Sequence, residues 1–305
     1  MPGGVYQPYF QKSEATLNSL QTVNLTALME LTSGSAEIMI GLIDGPVALD
    51  HVDLTTESIR ALPGGRTGGC TRANSVACQH GTFIAGILIA KRSSVAPALC
   101  PGCKLLLRPL FAETTTGTEQ MPSAMPEDLA SALLECMNAG ARVLNLSVGL
   151  SRVSSKSERT LEEALDQAAR RGVLVVAAAG NQGTLGSSAL TRHPWVIPVV
   201  ASNRDSRPTP ESNLCASIGR RGLCAPGDAI TSLGTMGQPL TTGGTSAAVP
   251  FVTGTIALLW SEFPKASAID IKFALTQASV SRRATVVPPL LNAWSAYQTL
   301  RRLRP

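Results

Sequence analysis

Ile-Met-Ile-Gly-Leu-Ile-Asp, residues 38–44, is followed at once by Gly45-Pro46. A short, almost wholly apolar run closed by turn formers reads as a strand buried on both faces, the kind found in parallel sheets. Outward from it the pattern repeats. Apolar runs recur at Lys104–Leu110, Val143–Ser147, Val173–Ala178 and Val196–Ala201. Helical patterns lie between them. An apolar segment, Phe83–Ala90, follows Gln79-His80-Gly81-Thr82. Glu127–Asn138 runs from Pro126 toward Gly140, and proline before and glycine after suit a helix. Ser157–Arg171 sets Leu161, Ala164, Leu165 and Ala168 on one face and stops at Gly172, as an amphipathic helix does. Helical segments at Phe251–Trp260, Ala268–Gln277 and Leu291–Arg302 close the chain. Strands alternating with helices predict an α/β fold, a parallel sheet with helices on both faces. Before the first strand, Leu17, Leu20, Leu28 and Leu31 have helical spacing, with Ser13 as cap and Thr32–Ser35 as stop. Residues 1–37 thus read as an N-terminal helical extension and 38–305 as one domain.

Three polar residues stand out in this frame. Asp44 ends the first strand, where open α/β sheets carry their functional groups. Ser246 lies in Gly-Gly-Thr-Ser-Ala-Ala-Val-Pro, residues 243–250, just ahead of an apolar helix. Small neighbours let a substrate backbone approach its hydroxyl, and a helix N-terminus favours a developing anion. The plainer alternative is a helix cap, because Ser and Thr are common there. The chain has three histidines. His51 and His193 lie in loop-like contexts and read as surface or structural groups. His80 opens an apolar helix and is the general-base candidate. Asp, His, Ser is one of the known chain orders of a serine triad.

Five motifs occur in sequence: Ile43-Asp44-Gly45, His80-Gly81-Thr82, Asn145-Leu146-Ser147-Val148-Gly149, Ala177-Ala178-Ala179-Gly180-Asn181 and Gly244-Thr245-Ser246-Ala247. On these the chain resembles the subtilisin-like serine peptidases, the subtilases. The resemblance implies a three-layer fold with a mostly parallel central sheet and the triad at its carboxyl edge. It implies catalytic Asp44, His80 and Ser246, with Asn181 donating to the oxyanion. It also implies substrate-binding backbone at Ser147, Val148, Gly149, Ala179 and Gly180, and no cofactor. For Asn181 the alternative is a turn residue; for Ser147 it is an ordinary strand end. Two departures leave the catalytic atoms untouched. Phe83 stands where many members carry a second His, and the nucleophile is followed by Ala247-Ala248-Val249-Pro250. Lys91–Ser94 is too short for the calcium loop of secreted relatives, and Asp53 alone reads as a solvated or capping carboxylate. Asp44-Gly45-Pro46-Val47 resembles the proteases of cyanobactin-type precursor-peptide maturation. The expected reaction is hydrolysis of an extended precursor segment, with leader removal. Transpeptidation or macrocyclisation on the same scaffold is the alternative, and a non-catalytic peptide-binding homologue the third reading.

Composition bounds the rest. At 305 residues, 44% hydrophobic and 15% charged, the chain fits a compact globular enzyme and not a disordered one. Net charge is +5 with Arg282, Arg283, Arg301, Arg302 and Arg304 late in the chain. No nucleic-acid motif accompanies them, so a solvated face is expected, with a mild preference for an acidic peptide partner. No apolar run suits a membrane span. Met1–Phe10 lacks the pattern of a secretory signal, so a cytoplasmic location is expected unless a signal has been removed. Oligomeric state has no sequence signature. Of seven cysteines, three local pairs are disulfide candidates: Cys70 with Cys78, Cys100 with Cys103, and Cys215 with Cys224, the last bracketing a hairpin-like Gly-Arg-Arg-Gly. Cys70, Cys78, Cys100 and Cys103 could instead form a zinc set. Cys136 reads as buried in a helix.

Overall fold

The computed structural model describes residues 12–63, 67–113, 124–148, 155–277 and 285–303. Its strands are β1 (Met39–Asp44), β2 (Ile59–Ala61), β3 (Lys104–Pro109), β4 (Val143–Leu146), β5 (Leu174–Ala178), β6 (Ile197–Ser202), β7 (Leu223–Pro226), β8 (Ile230–Leu233) and β9 (Pro239–Thr242). Its α-helices are α1 (Glu14–Thr22), α2 (Leu25–Leu31), α3 (Val76–Ile89), α4 (Pro126–Asn138), α5 (Ser155–Arg171), α6 (Ala189–Arg192), α7 (Ala216–Arg221), α8 (Thr245–Glu262), α9 (Ala268–Gln277) and α10 (Ala293–Leu303). Seven strands form one sheet in the order β2-β3-β1-β4-β5-β6-β7, and every neighbouring pair is parallel. β8 and β9 form a separate antiparallel hairpin.

The period-2 alternation of strand side chains divides the core between the two faces. Ile40, Leu42, Leu105, Leu107, Val143 and Val176 turn to one face, where α3 and α8 bury Phe83, Ile87, Phe251 and Trp260. Ile43, Leu106, Leu144, Leu146 and Val175 turn to the other, against Leu129 and Leu133 of α4 and Leu161 and Leu165 of α5. These are the three layers that the sequence predicts. Among the described residues no helix is long and apolar enough to cross a membrane.

The residues before β1 depart from expectation in one respect. Residues 14–31 form two helices, not one, because Asn24 takes a left-handed conformation (φ +52°) between them. Asparagine tolerates that geometry better than most residues. Ser13 caps α1, accepting from the Thr16 N–H. Leu20, Val23, Leu25 and Leu28 join the α3/α8 core. The Arg92 guanidinium ties α2 down by donating to the Met29 and Thr32 carbonyls.

Candidate active site

Three adjacent strands deliver the polar residues to one edge. Asp44 ends β1, Ser147 follows β4 and Asn181 follows β5, and β4 lies between β1 and β5 in the sheet. The helices α3 and α8 begin at the same edge. α3 starts at Val76, capped by the Ser75 hydroxyl, which accepts from the Cys78 N–H. His80 therefore sits in its second turn, not at its start as the sequence predicts.

The meeting of α3 with the loop after β1 depends on missing side chains. A Cβ on Gly81 would overlap the Gly45 and Pro46 carbonyl oxygens, and one on Gly45 the Ala77 carbonyl. This backbone-on-backbone approach sets His80 Nδ1 2.6 Å from Asp44 Oδ1. Asp44 is fully buried, and the same oxygen accepts from the Gly45 N–H at 2.7 Å. Burial opposes charge on the His80 imidazole. The Asp44 charge and hydrogen bond outweigh that opposition and raise the His80 pKa above the ordinary value.

Ser246 is the second residue of α8, so its N–H has no partner within the helix. The capping alternative fails. The N-cap is Gly244, in a backbone conformation of positive φ (+109°), and it makes no side-chain cap. Asn181 supplies the cap from the neighbouring loop. Its Oδ1 accepts from both the N–H and the hydroxyl of Thr245, each at 2.9 Å. With Oδ1 so fixed, Nδ2 is the donating end of the carboxamide, and among the described residues it has no acceptor. The Ser246 hydroxyl donates to the Ser147 carbonyl at 3.4 Å, a long bond. Among the described residues it makes no hydrogen bond to His80.

The expected substrate-binding segments also reach this edge. Ser147 and Val148 lie just beyond β4 and Ala179 and Gly180 just beyond β5; Gly149 lies outside the described residues. Ser147 is no ordinary strand end. Its side chain is buried and donates to the Ser246 carbonyl at 3.1 Å. Three further residues escaped the sequence reading. Thr245 orients Asn181. Asn145 is fully buried and donates to the Ser147 hydroxyl; a polar residue inside an apolar strand was the available signal. Glu113, after β3, accepts from the Thr71 N–H and hydroxyl and the Arg72 N–H. It lines a cavity of about 290 Å³ with Pro46, Thr67, Thr71, Arg72 and Phe111. His51 and His193 hold local structure, accepting from the Asp53 and Trp195 N–H groups, and His193 also pairs with Asp166.

The cysteines require correction. Cys70 and Cys78 form a disulfide, with Cα atoms 5.6 Å apart. Cys100, Cys103, Cys215 and Cys224 are free. Cys100 and Cys103 are buried and their thiols hydrogen-bond to each other. That bond and burial push the Cys100 thiol well up, and the same bond holds the Cys103 thiol below its ordinary value. Between Cys215 and Cys224 lies α7, a helix, in place of the expected hairpin. Cys215 turns to the Ser217 hydroxyl, and Cys224 donates to the Pro288 carbonyl. The zinc alternative fails as well, because Cys70 and Cys78 are bonded to each other. Cys136 is buried as expected, its thiol pushed up to about 12.

Comparison with known proteins agrees with this arrangement. Residues 35–293 match the sequence pattern of the subtilase family. Subtilisin DY of Bacillus licheniformis is 26% identical over 251 residues, covering 81% of this chain and 85% of the relative. Among solved structures, a mutant of the protease domain of PatA superposes with a TM-score of 0.77 at 26% identity, covering 88% of this chain and 96% of that one. The prenylagaramide maturation protease PagA does so with a TM-score of 0.76 at 25% identity, covering 90% and 98%. With strand order, buried acid–imidazole pair and family pattern in agreement, the chain belongs to the subtilase family of serine endopeptidases.

Proposed function

We propose that this endopeptidase cleaves an extended segment of a ribosomal precursor peptide, with Ser246 as nucleophile. The observation that carries the chemistry is the 2.6 Å pairing of His80 with the buried Asp44, on the edge where α8 presents Ser246. A serine hydroxyl is a weak nucleophile until a base takes its proton. His80 does so, and Asp44 fixes the imidazole so that Nδ1 carries hydrogen and Nε2 faces the reaction. Rotation about χ1 releases the Ser246 hydroxyl from its long bond to Ser147. Catalytic hydrogen bonds often tighten only when substrate arrives. Oxygen attacks the scissile carbonyl, and the oxyanion receives the Asn181 Nδ2–H and the Ser246 N–H. The protonated His80 then gives its proton to the leaving amine. Water repeats the sequence on the acyl-enzyme and releases Ser246.

The precursor-peptide reading is supported by Asp44-Gly45-Pro46-Val47 and by likeness to two proteins, one called a maturation protease and the other a protease domain. A flexible peptide can pair as a strand beside Ser147 and Val148, and the cavity beside Phe111 and Glu113 offers room for one of its side chains. The net charge of +5 favours an acidic leader, an attraction that weakens with salt. The test is mass spectrometry of products from casein, a chromogenic tetrapeptide and a precursor peptide encoded beside this gene. One dominant cut in the precursor, with weak cleavage of the other two, is expected. Rapid digestion of casein at many sites would make this a general degradative protease. A product lighter than the hydrolysed fragment by one water would make it a macrocyclase.

A further inference from the structure

Helix α8 carries a proline in its interior, Pro250. The residue four positions earlier is Ser246. A helical proline has no N–H to give to the carbonyl at i−4, and its ring presses that carbonyl outward. The nucleophile's own C=O thus loses its normal helical donor, at a residue that is half-buried.

The structure supplies a replacement from β4. The Ser147 hydroxyl donates to the Ser246 carbonyl at 3.1 Å. That hydroxyl is held in turn by Asn145 Nδ2 at 3.1 Å, and Asn145 Oδ1 accepts from the Thr253 hydroxyl at 2.9 Å. Asn145 and Thr253 are fully buried and Ser147 nearly so. The chain therefore leaves α8 at Thr253, crosses to the sheet and returns to α8 at Ser246, spanning the proline. We propose that Thr253, Asn145 and Ser147 are positioning residues for the nucleophile, a side-chain splint that replaces the hydrogen bond Pro250 removes. Their side chains act through the Ser246 carbonyl and not through its hydroxyl. They fix the Ser246 peptide plane, from which the hydroxyl swings toward His80. Small errors in such placement cost rate out of proportion to stability.

The inference rests on Ser246 being the nucleophile, and the experiment separates the two claims. Pro250→Ala restores an N–H that can reach the Ser246 carbonyl, so the splint becomes dispensable. The rate of Ser246 modification by a fluorophosphonate probe is measured by mass spectrometry in Ser147→Ala, Pro250→Ala and the double variant. Melting curves verify folding. Ser147→Ala alone should slow labelling about tenfold, the scale of one lost hydrogen bond. Ser147→Thr, which keeps the hydroxyl, should restore most of the rate. In the Pro250→Ala background the same Ser147→Ala change should cost less than about threefold, the non-additivity expected of groups that share one acceptor. An equal loss in both backgrounds overturns the splint alone. Absence of any adduct on Ser246 in the unsubstituted protein overturns the nucleophile assignment, and the splint with it.

Discussion

Asn181 combines two tasks, and two substitutions separate them. Its Oδ1 caps α8 through both donors of Thr245, and its Nδ2 is the proposed oxyanion donor. Asn181→Ala removes both ends. Losing the cap costs about 1–2 kcal/mol of stability, which lowers Tm by roughly 2–6 °C in a chain of this size. Losing the donor costs about 10²–10³ in kcat, or roughly 3–4 kcal/mol of transition-state stabilisation, with KM little changed; this magnitude is the one established for the equivalent donor of subtilisin. Asn181→Asp keeps an acceptor for Thr245 and places a negative charge at a helix N-terminus, which is favourable. Its Tm should stay within about 1–2 °C of the parent. Its kcat should fall at least as far as that of the Ala variant, because a carboxylate repels the oxyanion it replaces a donor for. Differential scanning fluorimetry and steady-state kinetics on one peptide substrate read both effects. An Asn181→Asp enzyme that retains a tenth or more of the parent kcat would refute the oxyanion role. An Asn181→Ala enzyme of unchanged Tm would refute the cap.

Further outcomes follow from the same geometry. His80 must be neutral to accept a proton, so kcat/KM should fall as pH drops through its raised pKa. Asp44→Asn removes the charge that raises this pKa while burial, which lowers it, remains. The acid limb should move to lower pH and kcat should fall by roughly 10⁴, as in other serine triads; an unmoved limb would contradict the pairing. Thiol titration in denaturant without reductant should find five free cysteines, whereas one would mean that all three candidate pairs are closed. Replacing Cys70 and Cys78 together with Ser should cost about 2–3 kcal/mol by loop closure, read as a lower denaturant midpoint. A calcium chelator should leave Tm unchanged, because the Lys91 ammonium already occupies the Val52 carbonyl beside Asp53; a large fall would reveal a calcium site elsewhere.

Most of the frame was legible because β1, β3, β4, β5 and β6 are buried apolar runs with sharp ends, and parallel strands leave that trace. The β8–β9 hairpin was not, since Thr and Ser dilute its short strands and its β9 residues are largely exposed. The Cys215–Cys224 segment misled because Gly-Arg-Arg-Gly has turn composition, yet Ile218 buries against Cys224 and draws the stretch into α7. Asp44, His80 and Ser246 were visible as polar residues at the ends of apolar elements. What the sequence did not show were second partners. That Thr245 turns Asn181, and that Ser147 reaches the Ser246 carbonyl, depends on loops from β4 and β5 lying beside α8. No local pattern encodes such a meeting. The disulfide choice is of the same kind, since three pairs were close in sequence and one has its sulfurs bonded.

The central claim is that Ser246 is a nucleophile activated by His80. The most direct measurement is peptide mapping after treatment with a biotinylated fluorophosphonate. A single adduct on Ser246 is predicted, lost in Ser246→Ala and in His80→Ala, where the hydroxyl has no base. Labelling that persists undiminished in Ser246→Ala, or an adduct mapped to another serine, would contradict the account.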